Sequence, residues 1–284
     1  MVATNEFEDA WMDEGINSYT EVKVLSSILG RNTSAIDMYG ATAGDLELQR
    51  LFYITWPDFD PMAQKAYDYV TANSYAAITY GKTATVLLTL EGIVGEDTMA
   101  KAMHAYFMKY RFTHPTKEDF LKTIEEVSGK ELRWYFNQAV YGSQVLDYEI
   151  LSVNSFPVNW YEADKTKKDA KKNKGKDGTV YQSYVTLHRK EDFIMPVAVE
   201  IKFDDGETVR EHWDGQSRWT RFGYQKKAKV VSAEIDPDHS VQLDRNKFNN
   251  SFVVQPNSHA TYKLSNYWLF VTQLLGQAFV WWAV

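Results

Sequence analysis

Cysteine is absent from this chain of 284 residues. Its absence excludes disulfide cross-links and thiolate metal sites, but it does not choose between cytoplasm and bacterial envelope. Positive charge is not in excess either: the net charge of −7 supplies no general electrostatic reason to expect a nucleic-acid partner. No apolar leader run opens the chain, because Met1 leads almost at once into the acidic stretch Glu6-Phe7-Glu8-Asp9. Histidine is sparse, with six residues, and none begins a His-Glu-x-x-His pattern, the arrangement that sets two imidazoles on one helix face. His104 and His114 read, like the others, as surface or core residues. No internal repeat is evident.

What is present is ordinary globular material with a surplus of rings. Apolar residues make up 44% and charged residues 24%, enough for about two domains and a sizeable core. Nine Trp and eighteen Tyr favour large buried clusters, or grooves for peptide or sugar. Trp213 and Trp219 are sugar-binding candidates on this ground, although core packing explains them as well.

Residues 1–142 read as helical. Asn5 is a candidate N-cap for a helix running through Trp11, Glu14 and Ser18. Thr83 to Leu90 mixes helix formers with β-branched residues. Asp97 to Tyr110 places Met99, Met103, Tyr106, Phe107 and Tyr110 at helical spacing. Thr116 and Asp119 stand in a capping-box relation. Phe120, Ile124 and Val127 follow as a buried stripe, and Gly129 closes the helix. Lys130 to Tyr141 forms a further helix before Gly142.

The pattern changes at 143–250. Asp147 to Trp160, Tyr181 to His188, Pro196 to Phe203 and Lys229 to Ile235 read as strands. Asp205-Gly206 and Asp214-Gly215 are hairpin signals, and Val209, Glu211 and Trp213 share one face of the strand between them. A small β-sandwich accounts for this pattern. It is interrupted by 163–178, which holds seven lysines and no large apolar side chain. No aromatic interleaves the lysines, so the run reads as a solvated loop rather than a nucleic-acid patch. In the tail, 251–284, the stretch Tyr267 to Val284 has no charge. Its length borders on a membrane span, and Gln273, Gly276 and Gln277 form a semi-polar stripe suited to an interface or to packing on protein. The tail favours a bacterial envelope or membrane-associated location over the cytoplasm. The competing expectation is a helix that covers a protein groove.

The chemistry concentrates near the start. Glu14 and Glu21 lie about two helical turns apart and so share a face, whereas Asp13 points roughly 100° away toward solvent. The segment Trp11-Met12-Asp13-Glu14-Gly15-Ile16 resembles the third-ligand helix of the M1 family of zinc aminopeptidases, the gluzincins related to thermolysin. Tyr80-Gly81-Lys82-Thr83-Ala84 is similar to a second segment of that family, with Gly81 where the family has Glu. The motifs from Phe112 to Phe136 and Ala233 to Asp238 resemble later parts of it. The resemblance covers most of 1–250.

That resemblance implies an α+β multidomain chain: the helical C-terminal half of a thermolysin-like catalytic domain, a small β-sandwich, and a C-terminal apolar helix. It implies that Glu14 is a zinc ligand and that Glu21 orients a ligand from behind. Tyr80 would donate to the oxyanion, with Tyr75 a nearby competitor. The intact parent would use zinc to remove N-terminal residues from peptide substrates. A catalytic zinc needs imidazoles beside its carboxylate, so this chain is expected to bind no metal and to be inactive alone. Its partners would be a membrane or the missing N-terminal half, met through exposed core faces and 267–284. The alternative is a non-catalytic scaffold or interaction module.

Overall fold

The computed structural model describes residues 2–38, 41–158 and 179–282. The lysine run 163–178 and the end of the strand expected to reach Trp160 lie outside the described residues. Residues up to Phe252 form one compact unit, and Val253–Val284 form a second.

The first unit begins with helices α1 (Glu6–Asp9) and α2 (Glu14–Leu29), joined by a 3-10 turn over Ala10–Met12. Asn5 caps α1 as expected, its side chain accepting from the Phe7 N–H at 3.1 Å. The single helix expected through Glu14 is broken, however. Asp9 leaves helical geometry (φ −143°, ψ 64°), and the turn sinks Trp11 fully into the core, edge-on to Phe120 at 5.9 Å. Burying an indole outweighs keeping one straight helix. Asp13 is consequently half-buried rather than fully exposed, and its carboxylate accepts from Asn17 Nδ2 at 3.2 Å.

A hairpin unforeseen in the helical stretch follows, with β1 (Ile36–Met38) antiparallel to β2 (Ala41–Ala43). Helices α3 (Asp45–Ile54) and α4 (Ala72–Ala76) come next. A π-helical turn over Ala77–Lys82 then runs directly into α5 (Thr83–Val94). Helices α6 (Glu96–Tyr110), α7 (Lys117–Ser128) and α8 (Arg133–Ala139) complete the helical region. The Thr116–Asp119 capping box forms in both directions, and Gly129 ends α7 in the left-handed region at φ 67°. Helix α8 starts later than Lys130, because Leu132 (φ −115°, ψ 1°) is not yet helical and gives its N–H to Glu125 Oε1 at 2.8 Å.

Two antiparallel sheets follow. One has the order β3 (Tyr148–Pro157), β4 (Tyr181–Arg189), β7 (Trp219–Lys226). The other has the order β6 (Thr208–Trp213), β5 (Val197–Phe203), β8 (Val230–Ile235), β9 (Ser251–Val253). Asp205-Gly206 makes the expected hairpin between β5 and β6. Asp214-Gly215 does not make a hairpin: the strand after it, β7, joins the other sheet beside β4. The sheets meet through ring pairs such as Phe203–Tyr224, with centroids 5.4 Å apart. Trp213 is buried in this core, whereas Trp219 is 57% exposed.

Helices and sheets are tied by the segment after β8. Thr89 Oγ1 accepts the N–H groups of Gln242 and Leu243, both at 3.0 Å. The Arg50 guanidinium gives hydrogen bonds to the carbonyls of Gln242 and Asp244. Gly92 lies so close to this segment that a Cβ would sit 2.4 Å from the Ser240 carbonyl oxygen.

The second unit is a long helix, α9 (His259–Trp282). It starts eight residues before the charge-free stretch singled out in the sequence. No helix among the described residues is long and apolar enough to cross a membrane.

Candidate active site

Glu14 is the first residue of α2 and is half-buried. Tyr80 lies in the π-helical turn before α5. Insertions of this kind widen a helix locally and re-aim one side chain. Here the Tyr80 phenol comes close enough to the Glu14 carboxylate to be shifted by it. Burial, hydrogen bonding to Glu14 and the nearby negative charge together push the phenol up to about 12. It therefore keeps its proton at neutral pH and remains a neutral donor.

Gly15 is what lets the two meet. A Cβ on Gly15 would lie 2.2 Å from Thr83 Cγ2 and 2.6 Å from the Thr79 carbonyl oxygen. Only a hydrogen fits where α2 crosses the π-turn, and this crossing sets Glu14 beside Tyr80. Gly81 serves the opposite side of the same turn, where a Cβ would come within 2.7 Å of the Gln49 carbonyl oxygen on α3. The larger residue of the resembled motif has no room against α3.

The surroundings of the pair are acidic. Tyr75 is half-buried, stacked edge-on to Tyr69 at 5.2 Å. Its phenol is raised by burial first and then by Glu14, Glu6 and Asp13. Tyr75 thus shares the Glu14 neighbourhood, where Glu14 acts on it by charge and on Tyr80 by hydrogen bonding and charge. Glu6 is raised by a hydrogen bond to Asp13 and by its charge, so two carboxyl groups approach each other at the rim. Glu21 is exposed two turns further along α2 and is not brought against Glu14.

Lys82, which motif reading left without a role, is fully buried, and its Nζ has no hydrogen-bond partner among the described residues. Burial pushes it down to about 8, against the pull of Asp58 and Asp60. Asp60 spends its carboxylate on Ser74 Oγ and on the Val70 N–H at 3.3 Å. The only sequence signal for Lys82 was its place in the Tyr80 motif.

Two further side chains brace α2 beyond Glu14. The Tyr19 hydroxyl donates to Glu91 Oε2 at 2.6 Å, and Lys23 bridges Glu91 (2.9 Å) and Glu96. These contacts fix α2 to α5 and α6 and so fix the direction in which Glu14 points.

A metal does not fit these residues. Among the described residues no group of three or more His, Cys, Asp or Glu side chains could hold one. His114 turns its Nδ1 to the Ala3 carbonyl oxygen at 3.0 Å, His188 pairs with Glu149 at 2.9 Å, and His104 is exposed. Glu14 is a carboxylate without a nitrogen partner.

With this geometry in place, comparison with known proteins is informative. Residues 1–138 match the Peptidase family M1 domain. Residues 1–138 belong to peptidase family M1. This M1 region is 27% identical over 135 residues to aminopeptidase N of Streptomyces lividans, an alignment that covers 47% of this chain and 15% of that protein. It is 22% identical over 131 residues to the probable aminopeptidase 2 of Sulfurisphaera tokodaii, covering 46% of this chain and 16% of the other. The aligned stretch is thus 15% and 16% of the length of these two relatives. The fold extends beyond the M1 region. A crystal structure of Legionella pneumophila aminopeptidase A in complex with aspartic acid superposes on 86% of this chain and 24% of that one, with a TM-score of 0.53 and 15% identity.

Proposed function

We propose that the M1 region is part of the catalytic domain of a zinc aminopeptidase and that this chain alone does not hydrolyse peptides. In this reading Glu14 is the carboxylate ligand of the zinc and Tyr80 is the donor to the oxyanion. Glu21 orients a ligand that the chain does not itself supply. The observation that carries the reading is the meeting of Glu14 and Tyr80, brought from separate helices by a glycine crossing. A solvated glutamate needs no such neighbour.

What the chain's own residues can do is limited. Tyr80 holds a proton, with its phenol at about 12, where a developing negative charge could take a hydrogen bond. Glu14 presents oxygen. Neither supplies a nucleophile or a general base, and one carboxylate is too few ligands for zinc. The substrate class is a peptide with a free N-terminus. The partner is the portion of a catalytic domain that carries a His-Glu-x-x-His helix. Support for such a partner comes from exposed apolar side chains on α2 and on α3, which packs on the far side of the Tyr80 turn: Val24, Ile28 and Leu29 of α2, and Leu48, Leu51 and Phe52 of α3.

Metal analysis of the purified chain, combined with an aminoacyl-anilide assay, tests the inactivity: no stoichiometric zinc and no hydrolysis are expected. Stoichiometric zinc with turnover overturns it. Co-expression with an M1 segment carrying the His-Glu-x-x-His helix tests the site. Zinc uptake should appear and be lost in Glu14→Ala, while an unchanged metal content in that variant removes Glu14 from the ligand set.

A further inference from the structure

Asp244 is 1% exposed and lies in the segment that joins the sheets to Arg50 and Thr89 of the helices. Three neutral donors face its carboxylate. Oδ1 accepts the Asn246 N–H at 3.0 Å, and Oδ2 accepts the Tyr148 N–H at 3.2 Å and Asn250 Nδ2 at 3.0 Å. The charged and titratable groups around it are committed elsewhere. From α3, Arg50 gives its guanidinium to the carbonyls of Gln242 and Asp244, and Tyr53 turns its hydroxyl to the Leu243 carbonyl at 3.5 Å. On the same segment, Lys247 donates to Gln242 Oε1 at 2.5 Å, and Arg245 lies 3.8 Å from Glu191. On the sheet side, Arg189 donates to the Gly215 and Glu191 carbonyls. Lys190 stands 3.8 Å from Asp147, which also accepts Asn249 Nδ2 at 2.8 Å. Burial, with the negative charge of Asp147, pushes the Asp244 carboxyl up to about 6 against its three donors.

A proton on this carboxyl meets a difficulty, because every neighbour is itself a donor. The Asn246 and Tyr148 groups are backbone N–H and cannot turn. Asn250 can. It is 8% exposed, and its backbone is held by the Ile235 N–H, donated to the Asn250 carbonyl at 2.8 Å. Its side-chain Oδ1, however, is buried and has no hydrogen-bond partner among the described residues. Reversing the amide sets Oδ1 against Asp244 Oδ2. Two acceptors repel unless a proton lies between them. Each orientation leaves one buried amide atom unpaired, so the two are balanced except for the charge on Asp244, and a buried charge is costly.

We propose that Asp244 and Asn250 form a proton-operated latch in the joint between helices and sheets: ionised Asp244 accepts from Asn250 Nδ2, and protonated Asp244 donates through Oδ2 to Oδ1 of the reversed amide. The folded carboxyl lies above the ordinary aspartate value of 3.8, so the folded chain holds the proton more tightly than the unfolded one. The resulting stability is complete below 3.8 and is lost as pH rises through about 6. The joint is therefore tighter in mild acid than at neutral pH. This inference does not depend on the peptidase reading, since it uses none of the residues around Glu14.

Side-chain NMR of the labelled full-length chain, titrated through pH about 6, tests it. The Asp244 Cγ signal and the Asn250 Cγ and Nδ2 signals should move together with one midpoint, and Asp244→Asn should abolish the movement at Asn250. Urea unfolding supplies a second readout. The folded-to-unfolded ratio of the wild type, taken relative to Asp244→Asn, should fall about a hundredfold from about pH 4 to about pH 7, the equivalent of two pKa units. Should that variant fail to fold, the wild-type titration decides alone. An Asn250 Cγ that stays still while Asp244 titrates shows a fixed amide and overturns the proposal. An Asp244 midpoint at the ordinary aspartate value, or equal pH profiles for wild type and variant, overturns it as well.

Discussion

Helices α2 and α9 are both long and both rich in apolar residues, yet they are held in opposite ways. In α2, Gly15, Ser18, Tyr19 and Val22 are buried, and ion pairs from Lys23 to Glu91 and Glu96 lock its far half. In α9 the large apolar side chains from Leu264 to Leu275 are exposed. Gly15 meets neighbouring atoms at 2.2 Å, whereas Gly276 of α9 has nothing within 4 Å. The difference shows that apolar content does not by itself seat a helix. What seats α2 is close approach at one residue with no side chain, followed by hydrogen bonds that only that approach permits.

The sharpest test of this contrast is to give both glycines a methyl group. Gly15→Ala should destabilise the protein by about 3 kcal/mol, because Thr83 Cγ2 and a backbone oxygen must both move. Urea unfolding measures it, and a loss below about 1 kcal/mol would remove the close crossing as the device that positions Glu14.

Lys82 carries the next largest expected effect. Its amine is pushed down to about 8 in the folded chain and returns to an ordinary lysine value on unfolding. Folding therefore favours the neutral amine. The corresponding stability is complete only above the unfolded value and is lost as pH falls toward 8. Lys82→Met should stabilise the chain at pH 7 by about 2 kcal/mol and flatten the rise in stability between pH 8 and 9.5. Lys247, likewise held down near 8 by burial, keeps its share of the slope in the variant, so the difference between the two curves is the quantity to read. Equal slopes would show that the Lys82 amine is charged and solvated.

Smaller changes are expected where one local contact is removed. Thr116→Ala deletes the cap that accepts from the Asp119 N–H at 3.3 Å and should cost about 1 kcal/mol, visible as a lower thermal midpoint. Gly276→Ala should leave the unfolding of the first unit unchanged and raise helicity by at most about 1 kcal/mol of propensity, read by circular dichroism. A large cooperative destabilisation by Gly276→Ala would mean that α9 is packed like α2 after all, and the contrast would fall.

Local chemistry accounts for what could be read ahead of the coordinates. Asn5, the Thr116–Asp119 box and the left-handed Gly129 act within four residues of themselves, and each formed as expected. The Glu14 and Tyr80 motifs were legible as motifs. The break at Asp9 was not, since it follows from where Trp11 finds its pocket against Phe120. Strand β7 was not singled out. Asp214-Gly215 signalled a turn, but which sheet the following strand would join depends on its register with β4. Neither Trp213 nor Trp219 betrayed its burial, because an indole on a strand points inward or outward according to which face the partner sheet covers.

Sequence alone determined the helical and strand-rich halves, the caps, the family likeness, and the want of an imidazole pair, for these are matters of residue type and short-range spacing. Tertiary structure decided the rest: that Gly15 brings Glu14 close to the Tyr80 phenol and that Lys82 loses its solvent. Those outcomes turn on what packs across from each residue, and contact between distant segments is a property of the folded chain rather than of any stretch within it.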